Sequence, residues 1–168
     1  MDVEKRIEAM GKELVRVRSR MEELGPIALG TLSASRNNGT EANMEHAVKS
    51  YRDLVAWQRA RGLVKEVYLL TATFPVGERF GLVSQMNRSA VSIPSNVAEG
   101  YGRATTQDYL HFLRIARGSA YELETQLVLA EDLGLCTQAA SSKVVVTLQE
   151  VIRVLQGLIA ALERRMEK

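Results

Sequence analysis

Little in this chain can crosslink, cage a metal or interrupt a helix. A single Cys among 168 residues excludes an intrachain disulfide, and with only two His beside it no protein zinc cage is expected. Three Pro and an aromatic content of 5% disfavour a sheet-rich fold and leave room for long helices. Charge of one sign is also lacking: 22 Lys plus Arg face 20 Asp plus Glu, a net of +2. That balance excludes a polyelectrolyte that coats nucleic acid, though not a local basic patch. No unbroken apolar run approaches the roughly 18 residues of a bilayer span. The start, Met1-Asp2-Val3-Glu4-Lys5-Arg6, carries no apolar signal region, so a cytoplasmic protein without a membrane partner is expected. What is present, 46% apolar and 25% charged residues, suits one globular core.

The most regular element comes first. Val3, Ile7, Met10, Leu14, Val17, Met21 and Leu24 recur at alternating spacings of four and three, a heptad seam near the minimum length for a coiled coil. Gly11 weakens that helix by roughly 1 kcal/mol relative to Ala. The stripe either docks on the chain's own body or serves as a docking seam for a partner helix. Gly25-Pro26 stops it. Residues 25–49 read as a linker with a short helical lead-in, and 50–168 as the main domain.

From residue 50 onward the pattern predicts four helices. Ser50-Tyr51-Arg52-Asp53 is a capping-box sequence expected to open a helix burying Leu54, Trp57, Ala60, Val64, Val67 and Leu70. After Phe74-Pro75-Val76-Gly77 a second helix is expected over about 78–99, burying Phe80, Leu82, Met86, Ala90, Ile93 and Val97, with a kink at Pro94. Thr105-Thr106-Gln107-Asp108 caps a third, striped by Tyr109, Leu113, Ala116, Ala120, Leu123, Leu127 and Ala130 and ending near Gly134. Thr137 caps a fourth, whose seam is Val144, Leu148, Val151, Leu155, Leu158 and Leu162. Short connections argue for an all-α, antiparallel up-down-up-down four-helix bundle with an appended N-terminal amphipathic helix.

The chemistry-bearing residues cluster on the second and third helices. Arg88, Ser92, Ser95 and Glu99 share one helix face, with Asn96 beside it, and His111, Arg114, Gly118, Tyr121, Glu122 and Thr125 form a comparable polar face. Ion pairs of Arg88 or Arg114 with Glu99 or Glu122 are expected between those helices or between subunits. Read as an active site, Glu99 or Glu122 would be the acid or base, but no activated nucleophile, metal cluster or phosphate loop accompanies them, so no enzyme is expected. Read as a nucleic-acid surface, the arginine bias matters: residues 50–168 hold eleven Arg and three Lys against twelve acids. Guanidinium forks match phosphates and carboxylates equally well. Read as structure, Ser92, Asn96, Glu99 and Glu122 fix register and oligomer contacts through satisfied pairs. Trp57 and Tyr68 are expected in the core, Cys136 as an incidental thiol, and the small run Ala116, Gly118, Ser119 and Ala120 as a place where another helix approaches closely.

Tyr51-Arg52-Asp53-Leu54-Val55-Ala56-Trp57-Gln58, Phe74-Pro75, Gly81-Leu82-Val83-Ser84-Gln85, Ser92-Ile93-Pro94-Ser95-Asn96-Val97-Ala98-Glu99-Gly100 and the run from Gly118 to Leu127 resemble a bacterial four-helix-bundle family. Its founding members are encoded in intervening sequences of large-subunit ribosomal RNA genes. The resemblance spans about residues 50–165, with one departure, Asn87 before Arg88, where a basic pair is common. It implies a barrel-like homopentamer and kinship with the accessory variability protein of diversity-generating retroelements, which binds a reverse transcriptase and nucleic acid.

The combined expectation is a non-enzymatic, cofactor-free oligomeric accessory protein that binds RNA or DNA, in the setting of a retroelement reverse transcriptase. The candidate phosphate contacts are Arg79, Arg88, Arg103, Arg114 and Arg117. The alternative is a protein-binding scaffold whose ring of bundles displays the N-terminal docking helices.

Overall fold

Ser50 and Asp53 cap the described chain as their spacing suggests, but on a shorter element than expected. In the computed structural model, which describes residues 48–167, Ser50 Oγ accepts from the Arg52 N–H at 3.2 Å and Asp53 Oδ2 accepts from the Ser50 N–H at 3.0 Å. This box closes only a 3-10 turn, Tyr51–Asp53, after which Leu54 is extended and helix α1 starts at Val55 (Val55–Thr71). The Tyr51 ring meets Trp57 edge-on at 5.3 Å, and Gln58 Nε2 donates to the Arg52 carbonyl at 2.9 Å, so the turn is tied to α1 by side chains. The heptad seam over residues 3–24 and the linker over residues 25–47 lie outside the described residues.

The buried stripe of α1 is Ala56, Ala60, Leu63, Val67 and Leu70: Ala60, Val67 and Leu70 lie inside as expected, whereas Ala56 and Leu63 are buried and Leu54, Trp57 and Val64 are half-buried at its edge. Tyr68, expected inside, is exposed. A larger departure follows. Instead of one helix from residue 78, a 3-10 turn Val76–Phe80 precedes Gly81, and α2 runs Leu82–Tyr101. Glu78, rather than lying within the helix, caps it: its Oε2 accepts from the Leu82 N–H at 3.2 Å. A Cβ at Gly81 would sit 2.8 Å from that oxygen, so a larger residue there would oblige the capping carboxylate to shift. Phe80 is consequently outside the core, 90% exposed. Pro94 lies inside an unbroken α2, where Ser95 Oγ and Asn96 Nδ2 donate to the Val91 and Ser92 carbonyls, each at 2.8 Å.

Helix α3 (Thr106–Asp132) starts on the expected cap, Thr105 Oγ1 accepting from the Asp108 N–H at 3.0 Å. It ends on a Schellman motif: Gly134, at φ 69°, donates to Glu131 O at 3.0 Å while Leu135 donates to Ala130 O at 2.9 Å. Thr137 caps α4 (Gln138–Met166) at the Ala140 N–H, 3.2 Å. Helix α4 is long and apolar enough to cross a membrane by composition, a property that the search for unbroken apolar runs misses because Glu150 and Arg153 interrupt them. Here its stripe of Val144, Leu148, Val151, Leu155 and Ile159 is buried in the bundle. Leu158 and Leu162, expected in the seam, are half-buried at its edge.

Helices adjacent in the chain pack on one another, and α1 meets α4 to close the square. The described residues therefore form an all-α, up-down-up-down bundle around one continuous core.

Candidate nucleic-acid interface

The five arginines singled out from the sequence separate by what lies beside them. Arg103 forms an ion pair with Glu99, four residues earlier on the same surface, and its guanidinium stacks 4.7 Å over Phe112. Arg114 reaches across to α4, 2.7 Å from Glu163. Arg117 has no ion pair among the described residues and lines neither of the grooves below. Arg79 and Arg88 come together.

The expected pairs of Arg88 or Arg114 with Glu99 or Glu122 do not form among the described residues. Glu99 is taken by Arg103, and Glu122 accepts from Gln126 Nε2 at 3.2 Å. What joins α2 to α3 is a smaller polar contact, Ser92 Oγ to Ser119 Oγ at 2.9 Å, with Asn96 Nδ2 donating to Ser92 Oγ at 2.9 Å. Close approach between these helices occurs at Gly100, where a Cβ would lie 2.8 Å from Phe112 Cβ and from Tyr109 Cδ2. Gly118, from which closeness was expected, has open space around it.

Arg79 and Arg88 line an open groove of about 580 Å³ together with Tyr68, Phe80, Asn87 and Val91. The Arg79 guanidinium stacks 5.7 Å from the Phe80 ring centroid. Asn87 Oδ1 accepts from Thr71 Oγ1 at 3.0 Å, which fixes the amide and leaves Nδ2 as a donor. Further along the same two helices, a second groove of about 320 Å³ is lined by Tyr51, Trp57, Arg61, Val91 and Pro94. Arg61, which sequence reasoning missed, stacks 5.8 Å over Trp57. Its only sequence signal is the i,i+4 spacing from Trp57.

No carboxylate among the described residues pairs with Arg61, Arg79 or Arg88, and none lines either groove. The acids of this side are engaged elsewhere: Asp53 in its capping box, Glu66 with Lys143 at 3.2 Å, and Glu78 on the Leu82 N–H. Positive charge on this side is therefore uncompensated at short range by the described residues.

Two titratable groups are perturbed, both by burial first. The Tyr109 hydroxyl is pushed up to about 12, with Tyr101 adding to the effect, and its oxygen is buried without a hydrogen-bond partner. Burial and then Glu131 push the Cys136 thiol up, the opposite of what a reactive thiolate needs. Among the described residues no three His, Cys, Asp or Glu converge to hold a metal ion.

A family model described as 23S rRNA-intervening sequence protein matches residues 52–157. The chain is also similar to a solved structure from Bacteroides thetaiotaomicron, described as a protein of unknown function from the S23 ribosomal protein family. The two share 24% identity at a TM-score of 0.58, covering 62% of this chain and 98% of that one, which is a likeness of fold. No curated protein matches the chain.

Proposed function

The chain belongs to the 23S rRNA-intervening sequence protein family, and from that premise we propose that it is an oligomeric accessory protein that binds RNA or DNA and catalyses no reaction itself. The observation that carries this reading is the arginine trio Arg61, Arg79 and Arg88 on the α1–α2 side, none of which pairs with a carboxylate among the described residues. Phosphates supply the negative charge that the carboxylates of the described residues do not provide there. Arg103 and Arg114, spent on Glu99 and Glu163, drop out of the candidate surface. In a homopentamer the trio is presented five times, so weak single contacts sum through avidity. A retroelement reverse transcriptase is the protein partner this reading assigns.

Mobility shift at two salt concentrations tests it. Binding to structured RNA or DNA at about 50 mM salt that weakens as salt rises is the expected result, because each phosphate contact releases counterions. Absence of binding at that salt overturns the reading. Light scattering is expected to give a mass five times that of the 18.6 kDa chain, and a monomer removes the avidity component.

A further inference from the structure

The two grooves of the α1–α2 side have the same construction. At one end Arg79 stacks on Phe80 at 5.7 Å, with exposed Tyr68 across the groove, and at the other Arg61 stacks on Trp57 at 5.8 Å, with Tyr51 against it. Both are lined by Val91, so they are continuous along one face of α2, from Val83 to Ala98. At 1.5 Å per residue that face runs about 22 Å. It therefore carries two aromatic stations and three guanidinium groups that no carboxylate among the described residues pairs with or separates.

We propose that this face is a stacking track for single-stranded nucleic acid, in which phosphates follow Arg61, Arg79 and Arg88 while unpaired bases stack at Phe80 and at the Trp57 station. The inference rests on the nucleic-acid reading above and specifies which form is bound. Phe80 is 90% exposed on a surface-lying 3-10 turn, so its ring is accessible to a flat partner. Arginine on one face of the exposed Phe80 ring leaves the other face for a base, and every base offers a π-face, so this arrangement is tolerant of sequence. A duplex keeps its bases stacked internally and meets such a surface through its backbone alone. The span suits the lower end, about four nucleotides, of single-strand sites. Asn87 Nδ2 and the exposed Ser84 hydroxyl, which lie along the same face, add donors for base edges, while the Ser95 hydroxyl, donating to the Val91 carbonyl, can accept from them.

Trp57 is the only tryptophan in the sequence, so its emission reports one station directly in the intact full-length chain. The probe is an oligouridylate of ~12 nucleotides, titrated at about 50 mM salt beside a duplex RNA of equal length. The oligouridylate is expected to bind more tightly and to quench Trp57, whereas the duplex leaves the emission unchanged. Phe80→Ala is expected to weaken oligouridylate binding at least about fivefold, the low end of what loss of one stacked base does, with duplex affinity unaltered. Arg79→Gln and Arg88→Gln are each expected to flatten the log–log salt slope by about 0.7. Circular dichroism is expected to confirm that these exposed variants remain folded.

Equal binding of both forms with no Trp57 response and no effect of Phe80→Ala overturns the track while leaving nucleic-acid binding intact. Failure of both forms to bind overturns the underlying reading as well. Quenching by an acidic polypeptide that displaces the oligouridylate, or a change in oligomer mass on Phe80→Ala, assigns the face to a protein contact and also overturns the track.

Discussion

The α1–α2 side and the α2–α3 seam share a helix and differ in almost everything that decides use. Across the seam, Gly100 admits Tyr109 and Phe112, and Ser92 bonds to Ser119. Arg103 and Arg114, just before and within α3, each face a carboxylate. On the other side the helices leave grooves, the Phe80 and Tyr68 rings stay in solvent, and Arg61, Arg79 and Arg88 pair with no carboxylate among the described residues. Counting arginines does not separate the two regions. What separates them is whether a carboxylate lies within reach, and whether the residues between the helices are small enough to shut the gap.

The two glycines on α2 and α3 offer the sharpest way to break this contrast. Gly100→Ala is expected to destabilise the bundle by about 1–3 kcal/mol, because its Cβ lands on Tyr109 and Phe112 within a closed seam. Gly118→Ala meets nothing and is expected to stabilise α3 by up to about 1 kcal/mol through helix propensity. Thermal melts of the two variants should move in opposite directions. If both move down, Gly118 is also a site of close approach.

Base titration probes the buried end of the seam. Tyr109 ionises at about 12 in the fold against about 10 for an ordinary tyrosine, so the folded chain holds this proton more tightly than the unfolded one. Stability is therefore intact below pH ~10 and falls as pH rises from ~10 to ~12. Tyr109→Phe is expected to remove this part of the fall, seen by comparing denaturation midpoints across that range. An identical alkaline loss in both proteins would assign it to other groups.

A smaller effect tests whether pairing, rather than position, silences an arginine. Glu163→Gln releases Arg114, and because the pair is exposed the stability change is expected to stay below about 1 kcal/mol. The released guanidinium is expected to steepen the salt dependence of nucleic-acid binding by up to ~0.7 in log–log slope. An unchanged slope would confine binding to the α1–α2 side.

Local chemistry made most of the bundle legible before any coordinates. Thr105 and Thr137 cap where their hydroxyls suggest, and Gly134 adopts the left-handed conformation that ends α3. The aliphatic stripes set four helices because periodicity of 3.6 is a property of consecutive residues. Phe80 misled because apolarity alone does not reveal that Gly81 and the Glu78 cap restart the helix after it. The Arg114–Glu163 pair joins positions 49 apart, and the Arg61 groove depends on how α1 lies on α2. Both follow from helix order and offset, which a stripe pattern does not encode.

The neighbour-on-neighbour order of the bundle has a kinetic corollary. Three of its four interhelical contacts join helices adjacent in the chain, and only α1 against α4 spans it. Each hairpin can thus form with little loop-closure cost, which places refolding of these four helices in the microsecond-to-millisecond range of local-contact topologies. Docking of the last rod onto the first would then be the late event, and truncations in α4 should speed unfolding more than they slow folding.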